Sequence, residues 1–72
     1  MACIEPDGSL TVAGTALVNA LAAEPLTPQE IAQSLSEPIF KVRGNLRELT
    51  DAGLIEEKDG SFTLTDEGRS RI

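Results

Sequence analysis

Hydrophobic residues along this chain recur mainly at spacings of three and four, which is the period of an amphipathic helix. The first such stretch begins after Thr11, a residue type that caps helix starts, and it continues to about residue 23. Its recurring apolar positions are Ala13, Ala16, Leu17, Ala20 and Leu21. The pattern predicts a first helix over about residues 11–23, lined with alanine and able to approach a neighbour closely.

The most explicit local signal is a helix start just after residue 26. Thr27 is a favourable N-cap, Pro28 suits the first helical position, and Glu30 completes a capping box. Leu26 and Ile31 are placed to contact each other across this start as a hydrophobic staple. A second helix therefore begins here.

A third helix follows after a tight turn. Its apolar stripe consists of Ile39, Val42, Leu46 and Leu49. Gly53 closes this helix, and Leu54 is placed to contact the last turn as in a Schellman cap. We predict the second helix over about residues 28–35 and the third over about 38–52, so that residues 27–53 form a helix-turn-helix.

A β-hairpin is predicted over about residues 54–64. Asp59 and Gly60 form a strong turn signal between two short runs that alternate apolar and polar residues. A shorter strand before Asp7 and Gly8 is expected to turn back at that pair. The predicted fold class is α+β, a single domain over residues 1–72 with a three-helix core, a C-terminal hairpin and a short N-terminal strand.

Composition excludes several kinds of function. The chain has one cysteine and no histidine, so it has no internal disulfide, no Ser-His or Cys-His pair and no histidine metal ligand. We expect Cys3 to be buried as a small apolar residue. No glycine-rich phosphate loop precedes a helix. We predict that the protein is not an enzyme and holds neither a cofactor nor a metal ion.

Charge is distributed unevenly along the chain. The net charge is −6, yet every basic residue follows residue 40, at Lys41, Arg43, Arg47, Lys58, Arg69 and Arg71. No apolar run approaches the roughly 18 residues that a membrane-spanning helix needs, and no secretion signal is present. We therefore expect a cytoplasmic protein in which only the C-terminal part tolerates a phosphate backbone.

From residue 26 onward the chain resembles the winged helix-turn-helix domains of bacterial and archaeal transcription regulators, the group that includes the MarR-like and ArsR-like proteins. Three motifs carry this resemblance: Thr27-Pro28-x-Glu30-Ile31-Ala32, Val42-x-x-x-Leu46-x-x-Leu49-x-x-x-Gly53-Leu54-Ile55, and Phe62-x-Leu64-Thr65-x-x-Gly68. The resemblance implies that the third helix enters the major groove of double-stranded DNA and that the hairpin acts as the wing. It places Lys41, Arg43, Gly44 and Arg47 at the groove and Lys58 at the wing.

The first functional hypothesis is therefore a DNA-binding transcriptional regulator, active as a homodimer because one such domain contacts few phosphates. The alternative is an acidic winged-helix module that docks to another protein through Phe40 and Gly44 on the outward face of the third helix. We expect Phe40 to pack against the second helix or the hairpin, whereas an exposed Phe40 would favour the docking module. The structural alternative for Lys41, Arg43 and Arg47 is a solvated helix face, with ion pairs such as those of the two arginines to Glu48 or Asp51.

Overall fold

The computed structural model describes residues 3–72 and has the α+β layout predicted for a winged helix. Its elements, in chain order, are α1 (Val12–Ala23), α2 (Pro28–Leu35), α3 (Ile39–Asp51), β1 (Ile55–Lys58), β2 (Ser61–Leu64) and α4 (Asp66–Arg69). The predicted bounds of the three helices and the hairpin agree with these to within one residue. The last element, α4, is a single helical turn.

The ends of the helix-turn-helix form as their residues predict. The Thr27 hydroxyl accepts a hydrogen bond from the Glu30 N–H, and the Glu30 carboxylate accepts one from the Thr27 N–H, at 3.2 and 2.8 Å. At the end of α3, Gly53 has a φ of 80°, and the Leu54 N–H donates to the Leu49 carbonyl at 3.1 Å. This is the Schellman arrangement, and it turns the chain from α3 into β1.

The start of α1 is fixed by a threonine and a glycine that together pack against the N-terminal segment. The Thr11 hydroxyl accepts from the Gly14 N–H at 3.1 Å, and the Thr11 N–H donates to the Cys3 carbonyl at 2.9 Å. Gly14 is buried, and a Cβ atom there would overlap that same carbonyl group. A glycine is therefore required where α1 crosses the N-terminal segment.

The start of α4 repeats this arrangement at a distant point in the sequence. The Thr65 hydroxyl accepts from the Gly68 N–H at 3.1 Å, and the Thr65 N–H donates to the Leu54 carbonyl at 3.1 Å. A Cβ atom on Gly68 would overlap the Leu54 carbonyl. The recurrence of Leu-Thr-x-x-Gly in the sequence thus corresponds to one local structure used twice.

The hairpin is attached to the helices by a third extended segment. β1 and β2 pair in antiparallel register around a turn in which Asp59 and Gly60 both have positive φ, at 54° and 85°. The Phe62 N–H donates to the Leu26 carbonyl at 2.8 Å, and the Leu26 N–H donates back at 3.2 Å. Leu26 therefore connects the hairpin to the start of α2, a role that the sequence reading missed.

The core lies between the three helices and one side of the hairpin. Its buried members are Cys3, Leu17, Val18, Leu21, Ile31, Val42, Leu46, Leu49, Leu54, Ile55 and Leu64. The burial predicted for Cys3 is confirmed. The face predicted for α1 is partly wrong, because Ala16 is exposed and Val18 is buried in its place. Alanine spacing alone misplaced the buried face, since the larger Leu17 and Val18 bury more apolar area.

The predicted N-terminal strand is reduced to a single bridge between Ile4 and Leu10. The Glu5 N–H donates to the Ser9 carbonyl at 2.7 Å, and the turn between them contains Asp7 and Gly8 as predicted. Ala2, the first residue of the predicted strand, lies outside the described residues. The bridge is too short to be a strand, but it brings the Cys3 carbonyl to α1.

Candidate interaction surface

The residues predicted to contact DNA do not form one continuous basic surface. Arg43, Gly44 and Arg47 are exposed on the outer side of α3. Within residues 3–72, no carboxylate lies within 4.0 Å of either arginine, so the ion pairs with Glu48 or Asp51 that the structural alternative included are not formed. Both guanidinium groups are exposed to solvent and carry full charge.

Lys41 points away from these arginines and already has a partner. Its Nζ atom lies 3.3 Å from Oε1 of Glu37, in the turn before α3, and Lys41 is half-buried. Lys58 is exposed at the end of β1, where its neighbours along the chain are Glu57 and Asp59. The positive charge available on α3 is therefore smaller than the number of basic residues in the sequence indicates.

Glu48 belongs to the interior side of α3 and not to its outward face. Its Oε1 atom accepts a hydrogen bond from the Cys3 N–H at 2.9 Å. Burial, together with the smaller effect of the negative charge of Glu48, raises the pKa of the Cys3 thiol to about 11. The thiol is therefore protonated at neutral pH and poorly suited to act as a nucleophile.

Arg43 and Arg47 border a groove between the start of α2, α3 and the hairpin. The groove has a volume of about 450 Å³. Its lining, which we call the charged groove, consists of Pro28, Arg43, Leu46, Arg47, Thr50, Asp51, Glu57 and Phe62. The two arginines are balanced by two carboxylates, so the lining has no net charge and offers a polyanion only a weak overall attraction.

Phe40 is the largest departure from the sequence-based expectation. Its side chain is 75% exposed on the first turn of α3 and packs against neither α2 nor the hairpin, so the predicted packing is wrong. Lys41 and Gly44 line a cavity of about 520 Å³ together with Phe40. An aromatic ring at this position offers an apolar contact and no hydrogen bond to a base edge.

A second cavity joins this one to α1. It has a volume of about 350 Å³ and shares Lys41 and Asn45 with the cavity beside Phe40. Val12, which is 89% exposed, lines it from the first turn of α1. The continuous surface, which we call the neutral face, is formed by Val12, Ala16, Phe40, Lys41, Gly44 and Asn45.

The neutral face contrasts with the rest of this acidic chain. None of the 12 residues of α1 is charged. The residues that line its two cavities include only one acid and one base, Glu37 and Lys41, and these are paired with each other. A helix without charge on any side is typical of one that is covered on both sides. In this structure one side of α1 is covered by the core and the other is open.

Asn45 lies where these two cavities meet, and the sequence reading overlooked it. The residue is only 8% exposed. Its side chain makes no hydrogen bond within residues 3–72, although no polar atom of it is fully enclosed. At 100° per residue it lies about 40° from Leu49, so helical geometry alone places it at the edge of the buried stripe.

The described residues contain neither a membrane-spanning helix nor a cluster of metal ligands. No helix within residues 3–72 is long and apolar enough to cross a membrane. No cluster of three or more cysteine, aspartate or glutamate side chains in this range is arranged to hold a metal ion.

Comparison with known proteins gives one structural relative. No protein-family profile and no curated protein matches the sequence. A solved structure does match: CalO1, a methyltransferase in calicheamicin biosynthesis, in its SAH-bound form. The two share 32% sequence identity with a TM-score of 0.70 over 82% of this chain. The chain spans only 18% of the length of that methyltransferase.

Proposed function

We propose that this chain is a non-catalytic winged-helix module that assembles proteins by associating with a second copy of itself through the neutral face. The observation that carries the proposal is the exposure of Phe40, at 75%, beside the open side of an uncharged helix. Exposed aromatic and branched apolar residues in one patch are typical of a protein-binding surface, and aromatic residues often dominate the binding energy there.

The charge distribution favours a second copy as the occupant. Two copies with a net charge of −6 each repel one another, so their contact must bury few of their acids. The neutral face meets this condition, because the one carboxylate that lines its two cavities, Glu37, is already paired with Lys41. A strongly basic partner would instead be attracted to the acid-rich parts of the chain, such as the hairpin with Glu56, Glu57 and Asp59.

The size of the chain also agrees with self-association. A standard interface takes about 800 Å² from each partner, which is about a fifth of this chain's accessible surface of 4382 Å². An interface of that size would have to extend from the neutral face along the open side of α1 and the first half of α3. A chain of 72 residues has a small core, so burial of a second apolar surface adds to its stability.

The likeness to CalO1 supports a place for the module beside an enzyme. CalO1 is a methyltransferase, and the matching part is a minor fraction of its length. By analogy, we propose that this fold serves a methyltransferase-type protein by assembling it, while the chemistry resides in other parts of such a protein. The absence of histidine and the protonated Cys3 thiol agree with a module that carries no catalytic group of its own.

DNA binding is the second candidate, and one observation favours it. Arg43 and Arg47 are exposed and unpaired within the described range, on the helix that winged-helix regulators insert into the major groove. Asp51 and Glu57 in the same groove oppose this binding, because they repel phosphate. The arginines therefore support at most a weak contact that depends strongly on salt.

Sedimentation velocity over a range of protein concentrations tests the assembly proposal. The wild-type chain should shift from 7.6 kDa toward twice that mass as its concentration rises. Val12→Glu and Phe40→Glu should each weaken the association at least tenfold, because each places a carboxylate in the apolar contact. Gln29→Glu is the matched control, since it adds the same charge on exposed α2 outside the neutral face.

Circular dichroism of each variant must first establish that it is folded. A wild-type chain that remains monomeric at every concentration contradicts the proposal, and so does a loss of association in Gln29→Glu equal to that in Phe40→Glu. Fluorescence anisotropy with duplex DNA at two salt concentrations tests the second candidate. Salt-sensitive binding that Arg43→Glu with Arg47→Glu abolishes would support it, whereas no binding at low salt removes it.

A further inference from the structure

We infer that Asn45 sets the register of the self-association by pairing its amide with Asn45 of the second copy across a twofold axis. This inference rests on the proposed function and adds to it the one residue that fixes the arrangement. The starting observation is that Asn45 is 8% exposed and makes no side-chain hydrogen bond within residues 3–72. It is also the only buried polar or charged residue in that range.

The position of Asn45 directs its unused hydrogen bonds outward. The residue lines both cavities of the neutral face and lies between the apolar side chains of Val12 and Phe40. In the isolated chain the amide atoms are not fully enclosed and have no hydrogen-bond partner within residues 3–72. Covering the neutral face would remove water from the amide, which is unfavourable for a polar group that gains no new hydrogen bond. A partner that covers the neutral face must therefore supply a donor and an acceptor at this point.

Gly44 makes the approach of such a partner possible. It is exposed in the middle of α3, and a Cβ atom there would have no neighbour within 4 Å. Because Gly44 has no side chain, the backbone of a partner can come close to the surface beside Asn45. Glycine weakens a helix interior relative to alanine, so its presence here fits a contact and not a need of the helix itself.

Twofold symmetry selects Asn45 from the polar groups of this surface. A residue on the axis of a symmetric dimer meets its own copy and must be complementary to itself. An asparagine amide meets this condition, because each copy donates an N–H to the oxygen of the other. Lys41 and Glu37 do not, since each would face a like charge, although each can lie opposite the other away from the axis.

Pairing of the two Asn45 side chains makes the dimer specific for one arrangement of the two copies. A buried asparagine pair in an otherwise apolar contact fixes register and stoichiometry, because every shifted arrangement leaves the amides without partners. With leucine at the same position, the face becomes apolar throughout and tolerates several registers. Asn45 therefore determines which dimer forms more than how tightly it forms.

Two substitutions separate this role from simple packing. Asn45→Asp places two carboxylates opposite each other at the axis, and we expect association to weaken at least tenfold at neutral pH. The matched control is Gln33→Glu, the same change from amide to carboxylate at an exposed position on α2 that lines neither cavity, which should weaken association by less than about threefold. Asn45→Leu should associate as tightly as the wild type or more tightly.

The register is measured by double electron–electron resonance between spin labels on the two copies. The label is attached at Gln29→Cys on exposed α2, in a chain that carries Cys3→Ala so that only one thiol reacts. The wild type at position 45 should give one narrow distance distribution, whereas Asn45→Leu should give a broad or multiple one. A single narrow distance in Asn45→Leu overturns the inference, as does an equal effect of Asn45→Asp and Gln33→Glu.

These outcomes are distinct from failure of the proposed function. If the wild-type chain does not associate at all, the assembly proposal and this inference fail together. If it associates and Asn45→Asp behaves like Gln33→Glu, only the role of Asn45 is excluded.

Discussion

The neutral face and the charged groove lie on opposite sides of the same helix, α3. Lys41 and Asn45 belong to the first and Arg43 and Arg47 to the second, and each pair is separated by about one helical turn. On one side the charges are paired and apolar side chains are exposed, while on the other the arginines are unpaired and carboxylates lie in the same groove. The winged-helix fold therefore does not determine the ligand, which depends on the chemistry of each surface.

The largest expected effect on stability comes from disrupting the contact of α1, which contributes to the neutral face, with the N-terminal segment. Gly14→Ala should lower the free energy of unfolding by about 3 kcal/mol, because the new Cβ atom overlaps the Cys3 carbonyl and forces α1 away from the N-terminal segment. Chemical denaturation followed by circular dichroism measures the change. The displaced α1 should also weaken self-association while leaving any DNA binding by the charged groove intact.

Gly44→Ala is the matched control for that substitution. Both glycines lie within helices, but a Cβ atom at Gly44 meets nothing within 4 Å. This variant should gain up to about 1 kcal/mol from the higher helix propensity of alanine. Equal destabilisation of the two variants would mean that the contact between Gly14 and Cys3 does not limit stability.

A smaller loss of stability is expected from a substitution at the N-cap of α2, which lies beside the charged groove. Thr27→Ala removes the hydroxyl that accepts the Glu30 N–H and should lower the free energy of unfolding by about 1 kcal/mol. Ser34→Ala is the control, since Ser34 is exposed in the same helix. Because the change is far from Val12 and Phe40, self-association of the folded fraction should be unchanged. A Ser34→Ala variant as unstable as Thr27→Ala would contradict the role of the capping box.

Alkaline pH tests the burial of Cys3 below α1. Its pKa is about 11 in the folded chain and 9.0 as the reference value, so the unfolded chain loses the proton first. The stability contributed by the protonated thiol is complete below about pH 9 and is lost as pH rises through about 11. We expect a loss of about 0.8 kcal/mol at pH 9.5 relative to neutral pH. Denaturation curves of Cys3→Ala should lack this loss of stability at alkaline pH. An identical pH dependence in the variant would refute the contribution of the Cys3 thiol.

Salt should have the smallest effect on binding. The direction of its effect should differ between self-association through the neutral face and DNA binding by the charged groove. Salt should tighten self-association modestly, because it screens the repulsion between copies of net charge −6. It should weaken DNA binding, because two arginines at the groove release counterions from phosphate, with a logarithmic slope of about −2. Sedimentation and anisotropy at the same salt concentrations measure both. Self-association that weakens with salt would place ion pairs at the contact and contradict the neutral face.

Local sequence signals determined the elements of this fold. Thr27 with Glu30, Gly53 with Leu54, and Asp59 with Gly60 act over a few residues, so their caps and turns follow from residue type alone. The burial of Val42, Leu46 and Leu49 follows equally from helical period, and of the predicted stripe only Ile39 remains partly exposed. For the same reason the bounds of the helices and the hairpin agree closely with the structure.

Tertiary packing decided which side of each helix is covered and with what each polar group is paired. The sequence could not place Phe40 in solvent, direct Glu48 to Cys3, pair Lys41 with Glu37, or leave Asn45 buried without a partner. Each of these depends on segments distant in sequence or on a choice between neighbouring rotations of a helix. Periodicity gives the buried stripe of a helix, whereas the residues at its edges are assigned by whatever packs against them. The candidate interaction surface consists of such edge residues, which is why only the three-dimensional structure revealed it.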